Sequence, residues 1–315
     1  MILLFCVVLT NSYLCTKPKC KMMNDKRITV FTPTYNRRYM LPALYESLCE
    51  QDCKDFVWLV VDDGSNDDTG DQVAQWQNDG LIDIQYHYQT NAGKTAAHNK
   101  GVRLCQTELF VCIDSDDRLS SPSVIGDTIR FWDENSELAS MATTSGIVSY
   151  RKMLTGDFSP FPENVKLSTL SYLYENGFKG ETTLVFKTEV LKRFSFPEIE
   201  GERFITENYV YDQMDEHYKM LVFPYFSQDC EFRDDGITRN AWDFLFKNPK
   251  GYRMYYNQSI TLKKGNPSWN MRMYIACSLI AKDGRLFSAS DHKLMLLRML
   301  PLGLYQYYKL LHRKW

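Results

Sequence analysis

A mainly parallel α/β sheet flanked by helices, with a helical C-terminal extension, is the fold this sequence predicts, on three observations. Two continuous apolar runs, residues 57–61 and 109–113, end in the acidic clusters Asp62-Asp63-Gly64-Ser65 and Asp114-Ser115-Asp116-Asp117. Apolar runs of this length, bounded by polar turn residues, suit strands covered on both faces. Between about residues 28 and 120 such runs alternate with stretches of helical spacing, the mark of βαβ units. From Trp242 onward the chain reads as helical pieces broken near Pro249, Pro267, Gly284 and Pro301.

The elements follow in order. Residues 28–31 form a short strand that ends at Thr32-Pro33-Thr34-Tyr35-Asn36. A helix follows with Pro42 early and Leu41, Leu44, Tyr45 and Leu48 at helical spacing. The second strand spans 56–61, and Asp68 or Thr69 caps a helix bearing Val73 and Trp76. Residues 82–88 make a third strand, Asn91-Ala92-Gly93-Lys94 opens a helix over about 95–105, and 109–113 is the fourth strand. Beyond Ser121 the pattern loosens to a helix over 123–135, strands at 182–187 and 221–226, and a helix over 205–219 between them. Near the C-terminus Leu304, Tyr307, Tyr308 and Leu311 recur at helical spacing among Lys309, Arg313 and Lys314. That stripe either docks on the protein's own body, the commoner arrangement, or lies on a membrane surface.

The 315 residues suffice for one large domain with an appendage. A net charge of −2 gives no global attraction to nucleic acid or acidic lipid. The nine cysteines are scattered, with no CxxC pair, which reads as reduced thiols in a cytosolic protein rather than a disulfide framework or zinc site. The first 22 residues are apolar up to Leu14 but interrupted by Thr10, Asn11 and Ser12, and no basic stretch precedes them. They read as a signal peptide or anchor of poor grammar, or better as sequence upstream of a true start at Met22 or Met23. The expected division is an extension over 1–22, a main α/β domain over 23–228 and a helical extension over 229–315.

Ligands of open α/β sheets bind at the carboxyl ends of the strands. Two acidic clusters there repel one another unless positive charge lies between them, and a divalent metal carrying a diphosphate supplies it. A hydroxyl and an aromatic face at Thr34 and Tyr35 can contact a nucleobase and diphosphate. Asn91-Ala92-Gly93-Lys94 aims a helix N-terminus and a cation at the same crevice, a setting for phosphate, although a first-turn lysine is as readily a solvated one. Asn99 and Gly101 fit packing better than ligand contact. In a strand-end conformation Asp114 and Asp116 face one side.

Pro33-Thr34-Tyr35-Asn36-Arg37, Asp62-Asp63-Gly64-Ser65 with Asp68-Thr69, Asn91-x-Gly93 with Asn99-x-Gly101, and Asp114-x-Asp116-Asp117 occur in this order. Their spacings resemble those of the family 2 inverting glycosyltransferases of the GT-A fold, such as those of bacterial capsule, exopolysaccharide and lipopolysaccharide assembly. The resemblance is strong over about 28–117 and looser over 180–213. It implies Thr34, Tyr35 and Asn36 at the donor nucleotide, Asp63 on the uracil imide N–H, Asn91 and Lys94 toward the diphosphate and Asp114 near the ribose. It further implies Asp116 on Mg2+ or Mn2+ that grips the diphosphate, with Asp117 meeting the acceptor or orienting Asp116. An inverting transfer needs a base for the acceptor hydroxyl. The family's acidic pair corresponds to Glu207-Asn208, a departure at its second position, so the base falls to Glu207, with Glu202 and Asp117 as rivals. Residues 206–208 also read as a plain helix N-terminus.

The resemblance implies a UDP-sugar donor, a glycan or lipid-linked glycan acceptor and a cytoplasmic setting, peripheral on the inner membrane face, with no nucleic acid partner. The Gln-x-x-Arg-Trp element of processive synthases is missing, which favours single addition. The rivals are a sugar-nucleotide-binding homologue without transfer and another Asp-cluster enzyme. A nucleotidyltransferase would carry a Gly-rich loop after the first strand, and a phosphatase its Asp-x-Asp there; Thr-Pro-Thr-Tyr-Asn disfavours both. Arg233 or Arg239, in the charged stretch 231–239, could reach the diphosphate as part of a closing loop, or belong to an ordinary solvated loop.

Overall fold

The computed structural model describes residues 26–153, 156–230 and 240–312. The N-terminal extension and the 231–239 stretch with Arg233 and Arg239 lie outside the described residues. The chain begins in strict alternation: β1 (Ile28–Thr34), α1 (Leu41–Cys49), β2 (Phe56–Asp62), α2 (Thr69–Asp79), β3 (Ile84–Tyr88), α3 (Lys94–Leu104) and β4 (Leu109–Cys112). Then come β5 (Arg118–Leu119), α4 (Val124–Glu134), α5 (Ser136–Ala139), β6 (Thr144–Met153), β7 (Leu167–Ser168) and α6 (Leu170–Glu175). These lead to β8 (Glu181–Lys187), α7 (Thr188–Leu191), α8 (Asn208–Asp215) and β9 (Lys219–Cys230). The helices α9 (Ala241–Lys247), α10 (Pro249–Thr261), α11 (Pro267–Ala281) and α12 (Lys293–Leu311) complete the described chain.

The strands form one sheet in the order β3-β2-β1-β4-β8-β6-β9-β5, and β7 pairs β9. β3, β2, β1 and β4 run parallel, as do β6 and β9, so most paired residues lie in parallel ladders. β8 is antiparallel to both β4 and β6 and joins the two parallel groups. The chain leaves β1 toward β3 and returns on its other side at β4. This is a topological switch point, and the crevice for a ligand opens there at the strands' carboxyl ends.

Side-chain alternation explains the apolar runs. Val30, Trp58, Val60, Leu109 and Val111 point to one face and pack with α1, α2 and α4. Phe31, Leu59, Val61 and Phe110 point to the other, against α3 and α8. Every residue of β1 and β2 is buried, as strands covered on both faces require. Trp58 sits fully buried with its indole N–H donating to Thr32 Oγ1 at 3.0 Å, so its one polar atom is satisfied.

Several expectations need correction. The long β6 was not legible, because Gly146 and the polar Ser145, Ser149 and Arg151 interrupt its apolar pattern. The helix expected over 205–219 is only α8, and Lys219 already opens β9, which pairs in parallel with β6. Asp68 is the N-cap of α2, but its carboxylate pairs with Arg38 at 3.2 Å and caps nothing; Asp67 accepts from Thr69 instead. Pro301 does not break α12. It removes the donor to the Leu297 carbonyl, and both residues are exposed, so water can satisfy that group.

Candidate active site

The crevice is built first from two tied loops. Thr34 ends β1 with its Oγ1 buried and unpartnered, a donor and acceptor with no protein partner. Asn36 adopts a left-handed conformation (φ 51°). Its N–H donates to Ser65 Oγ at 2.8 Å, and its Oδ1 accepts from the Asn66 N–H at 2.9 Å. Asn36 thus clamps the loop after β1 to the loop after β2, while Tyr35 stays exposed above them. Asp62 is buried, accepting from the Tyr86 hydroxyl at 2.6 Å and the Ser65 N–H at 2.8 Å.

Asp63 anchors the loop that opens α3. Its carboxylate accepts from Gln89 Nε2 at 2.7 Å, the Ala92 N–H at 2.8 Å and the Gly93 N–H at 2.7 Å. A carboxylate offers about four acceptor sites, so one remains for another donor. Asn91 Oδ1 is buried and unpartnered, and the residue lines a cavity of about 580 Å³ shared with Glu202. Gly93 has φ +99°, and a Cβ there would meet the Arg203 carbonyl oxygen at 1.9 Å. Backbone cannot yield as a side chain can, so Gly93→Ala is expected to cost at least about 2 kcal/mol. Denaturant unfolding checks this; an unchanged midpoint contradicts the close approach.

The second acidic cluster is a turn rather than a strand end. β4 stops at Cys112, and the Asp117 N–H donates to the Asp114 carbonyl at 3.1 Å. The turn replaces the expected alternation and brings three carboxylates, of Asp114, Asp116 and Asp117, within 4.8 Å of one another. Basic groups close around them. Lys94 Nζ lies 2.9 Å from Asp114 Oδ1 and 3.1 Å from Glu207 Oε1. Lys94, expected to open toward a phosphate, is therefore held between two carboxylates. Burial opposes its charge, but Asp114 and Glu207 outweigh it and hold the ammonium well above its usual range. Burial likewise opposes the Asp114 charge, and Lys94 with Arg151 more than offsets it, keeping that carboxyl below its ordinary value.

Asp117 is almost fully buried, paired with Arg151 and accepting from Gln228 Nε2 at 2.6 Å. Burial, against the Arg151 charge and with the neighbouring carboxylates, pushes its carboxyl up to about 7. Arg151 on β6 and Gln228 on β9 were missed by sequence reasoning, since neither sits in a motif. The signal that could have found them is electrostatic: three clustered carboxylates demand a buried cation nearby. Hard oxygen donors at this separation, with Asp116 half-buried among them, fit Mg2+ or Mn2+.

Glu207 stands at the N-cap position of α8 without a capping bond from its side chain, which is 46 % exposed and lines a cavity of about 420 Å³ together with Asp114 and Arg151. Glu202 is placed differently. Its two oxygens accept the Lys250 and Gly251 N–H groups at 2.8 Å each, so it caps α10 and ties the C-terminal helices to the crevice.

His98, on α3, lines the same cavity with Phe31, Phe110 and Phe196 edge-on around its ring. Neither ring nitrogen has a partner, and burial lowers its pKa to about 4. The unfolded chain therefore binds the proton more readily. The stabilising effect of a neutral ring is complete above pH 6.5 and is lost as pH falls through about 4. Roughly 3 kcal/mol of stability is at stake across that span, from about 1.4 kcal/mol per pKa unit. Thermal unfolding of the wild type and His98→Leu between pH 6.5 and 5 checks it; parallel slopes contradict it.

The sequence model of the glycosyltransferase family 2 domain (Glycosyl transferase family 2) matches residues 29–192, from β1 through α7, and the chain belongs to that family. It is 26 % identical over 233 residues to the GalNAc(5)-diNAcBac-PP-undecaprenol beta-1,3-glucosyltransferase of Campylobacter jejuni, covering 73 % of this chain and 71 % of that one. An uncharacterized glycosyltransferase of Rickettsia conorii is 33 % identical over 37 % of this chain. This chain spans only 19–25 % of the length of that protein and two other rickettsial relatives. Among solved structures, Staphylococcus aureus TarS residues 1–349 in complex with UDP-GlcNAc superposes with a TM-score of 0.58 at 17 % identity, over 89 % of this chain and 81 % of that one. The mannosyltransferase PcManGT of Pyrobaculum calidifontis, in complex with GDP-Man and Mn2+, superposes with a TM-score of 0.52 at 17 % identity, over 93 % and 89 % of the two chains. The fold is GT-A.

Proposed function

We propose that the protein moves one sugar from a nucleotide donor, a UDP-sugar, to an acceptor hydroxyl with inversion at the anomeric carbon, in surface glycan assembly. The observation that carries this reading is the Lys94 ammonium, which joins the donor-side Asp114 to Glu207 across one crevice. On this reading Asp63 turns its remaining acceptor site to the uracil imide, the unpartnered Thr34 Oγ1 and Asn91 Oδ1 find their partners in the donor, and Asp114 meets the ribose. Asp116, with Asp114 or Asp117, holds Mg2+ or Mn2+; when bound, the cation neutralises charge on the departing diphosphate.

Glu207 accepts the acceptor's hydroxyl proton on a carboxylate oxygen as the hydroxyl oxygen attacks opposite the leaving group. Lys94 fixes that carboxylate against Asp114, so the base and the donor keep one spacing. Glu202 has both oxygens committed as a helix cap and Asp117 is buried against Arg151, whereas Glu207 pairs with Lys94 through Oε1 alone and its side chain is about half exposed to the cavity, which makes it the best-placed base. The undecaprenol-linked acceptor in the Campylobacter relative's name supports a lipid-linked glycan here, and with it a site of action at the inner membrane face.

The test mixes the protein with Mn2+, a panel of UDP- and GDP-sugars and polyprenyl-diphosphate-linked glycans, and measures nucleoside diphosphate release. Acceptor-dependent release from a UDP-sugar is expected. Nucleotide binding without release from any donor would instead identify a sugar-nucleotide-binding protein.

A further inference from the structure

The C-terminal helix α12 is apolar on two sides. Leu296, Gly303, Gln306 and Leu310 face the body of the protein, and a Cβ on Gly303 would overlap the Ile275 side chain of α11. The opposite side repeats Leu294, Leu297, Pro301, Leu304, Tyr308 and Leu311 at three- and four-residue steps, all exposed. Leu294 is 79 % and Leu297 56 % exposed. The stripe expected from sequence to dock, Leu304 with Tyr307, Tyr308 and Leu311, thus largely does not. The helix docks through its narrower Gly303–Leu310 side and leaves the wider apolar side to solvent.

Isolated exposed leucines need no explanation, but a stripe running the length of a 19-residue helix does. Laid flat, such a helix presents an edge of roughly 28 Å. Its charged residues are Lys293, Arg298 and Lys309, and none is acidic. Arg298 and Lys309 fall on one flank of the stripe, with Lys309 over the Tyr305 ring at 5.8 Å. An apolar face edged by cations and aromatic hydroxyls is the composition of helices that lie in a membrane interface. No helix among the described residues is long and apolar enough to cross a membrane. A second copy of the chain fits less well. Antiparallel pairing through this face brings like flanks together and sets Arg298 of one copy toward Lys309 of the other, like charge against like.

We infer that the outer face of α12 is a docking surface for an anionic phospholipid bilayer, on which the helix lies parallel to the membrane plane. The inference stands on α12 alone and does not require that the crevice transfer a sugar.

The full chain is sedimented with vesicles of phosphatidylcholine, or of phosphatidylcholine mixed with phosphatidylglycerol, at low and high salt. The wild type is expected to partition onto the mixed vesicles and to be released by salt. Leu297→Glu with Leu304→Glu, and separately Arg298→Glu with Lys309→Glu, each weaken partitioning by roughly tenfold or more. Both pairs lie on the exposed side, so melting temperature and nucleotide binding stay at wild-type values. Equal partitioning of the wild type onto phosphatidylcholine alone would overturn the anionic assignment. No partitioning onto either vesicle, or leucine variants that bind as the wild type does, would overturn the surface itself. A dimer seen by light scattering and dissolved by the leucine substitutions would assign the face to a second copy instead.

Discussion

Replacing Glu207 by Gln is expected to lower kcat by roughly 10²–10⁴-fold, the usual contribution of a positioned general base, while the apparent affinity for the donor nucleotide changes little. The amide keeps the size of the carboxylate, so α8 and the cavity beside it persist; what it loses is the capacity to take a proton. Glu202→Gln should behave in the opposite way. Its carboxylate caps α10 through two N–H groups, so the amide costs on the order of 1 kcal/mol of stability and leaves kcat near the wild-type value. Steady-state kinetics with a donor and acceptor pair, alongside denaturant midpoints, separates the two. If Glu207→Gln keeps more than about a tenth of kcat, the base is elsewhere, since general-base loss costs far more than that.

Asp116→Asn should abolish divalent-cation-dependent nucleotide binding, weakening it at least tenfold, and should raise the melting temperature in metal-free buffer. Both effects have one cause. Three carboxylates within 4.8 Å repel each other when no metal ion joins them, and Asp116, unlike Asp114 with Lys94 and Asp117 with Arg151, makes no ion pair among the described residues. Asp117, by contrast, holds Arg151 and Gln228, and its replacement should destabilise the fold by leaving the buried guanidinium with only the longer 3.9 Å pairing to Asp114. Calorimetry on each variant, with and without EDTA, checks the pair. A metal-free Asp116→Asn that melts below the wild type would contradict the repulsion argument.

What the sequence disclosed and what it hid follow from physical range. β2 and β4 were legible because a doubly covered strand reads as a near-continuous apolar run, β1 only over 28–31 because threonines interrupt it, and the crevice followed because polar residues stop each run at its carboxyl end. The local constellations were legible too, since Asp62 with Asp63, Asn91 with Gly93 and Asp114 with Asp116 each lie within one short loop, whereas the bond from the Gly93 N–H to Asp63 joins two loops and was not. β6 was hidden, because its polar positions serve the site: Arg151 neutralises Asp114 and Asp117, and no local pattern announces a cation needed 34 residues upstream at Asp117. Glu202 stood as a rival base to Glu207 because an acidic residue beside a turn reads the same whether it caps a distant helix or meets a substrate. Only the placement of α10 at Lys250 and Gly251 distinguishes them. The stripe on α12 was visible as periodicity, but which side of it faced the body depended on Gly303 admitting Ile275.

Titration of UDP into the wild-type protein by calorimetry, with Mn2+ and with EDTA, tests the central claim most directly. The claim is that the crevice between β1 and β4 holds a nucleoside diphosphate through its own acidic turn. Saturable UDP binding that needs Mn2+ is the predicted result. Silence toward UDP and GDP alike, in the presence of Mn2+ or Mg2+, would contradict it.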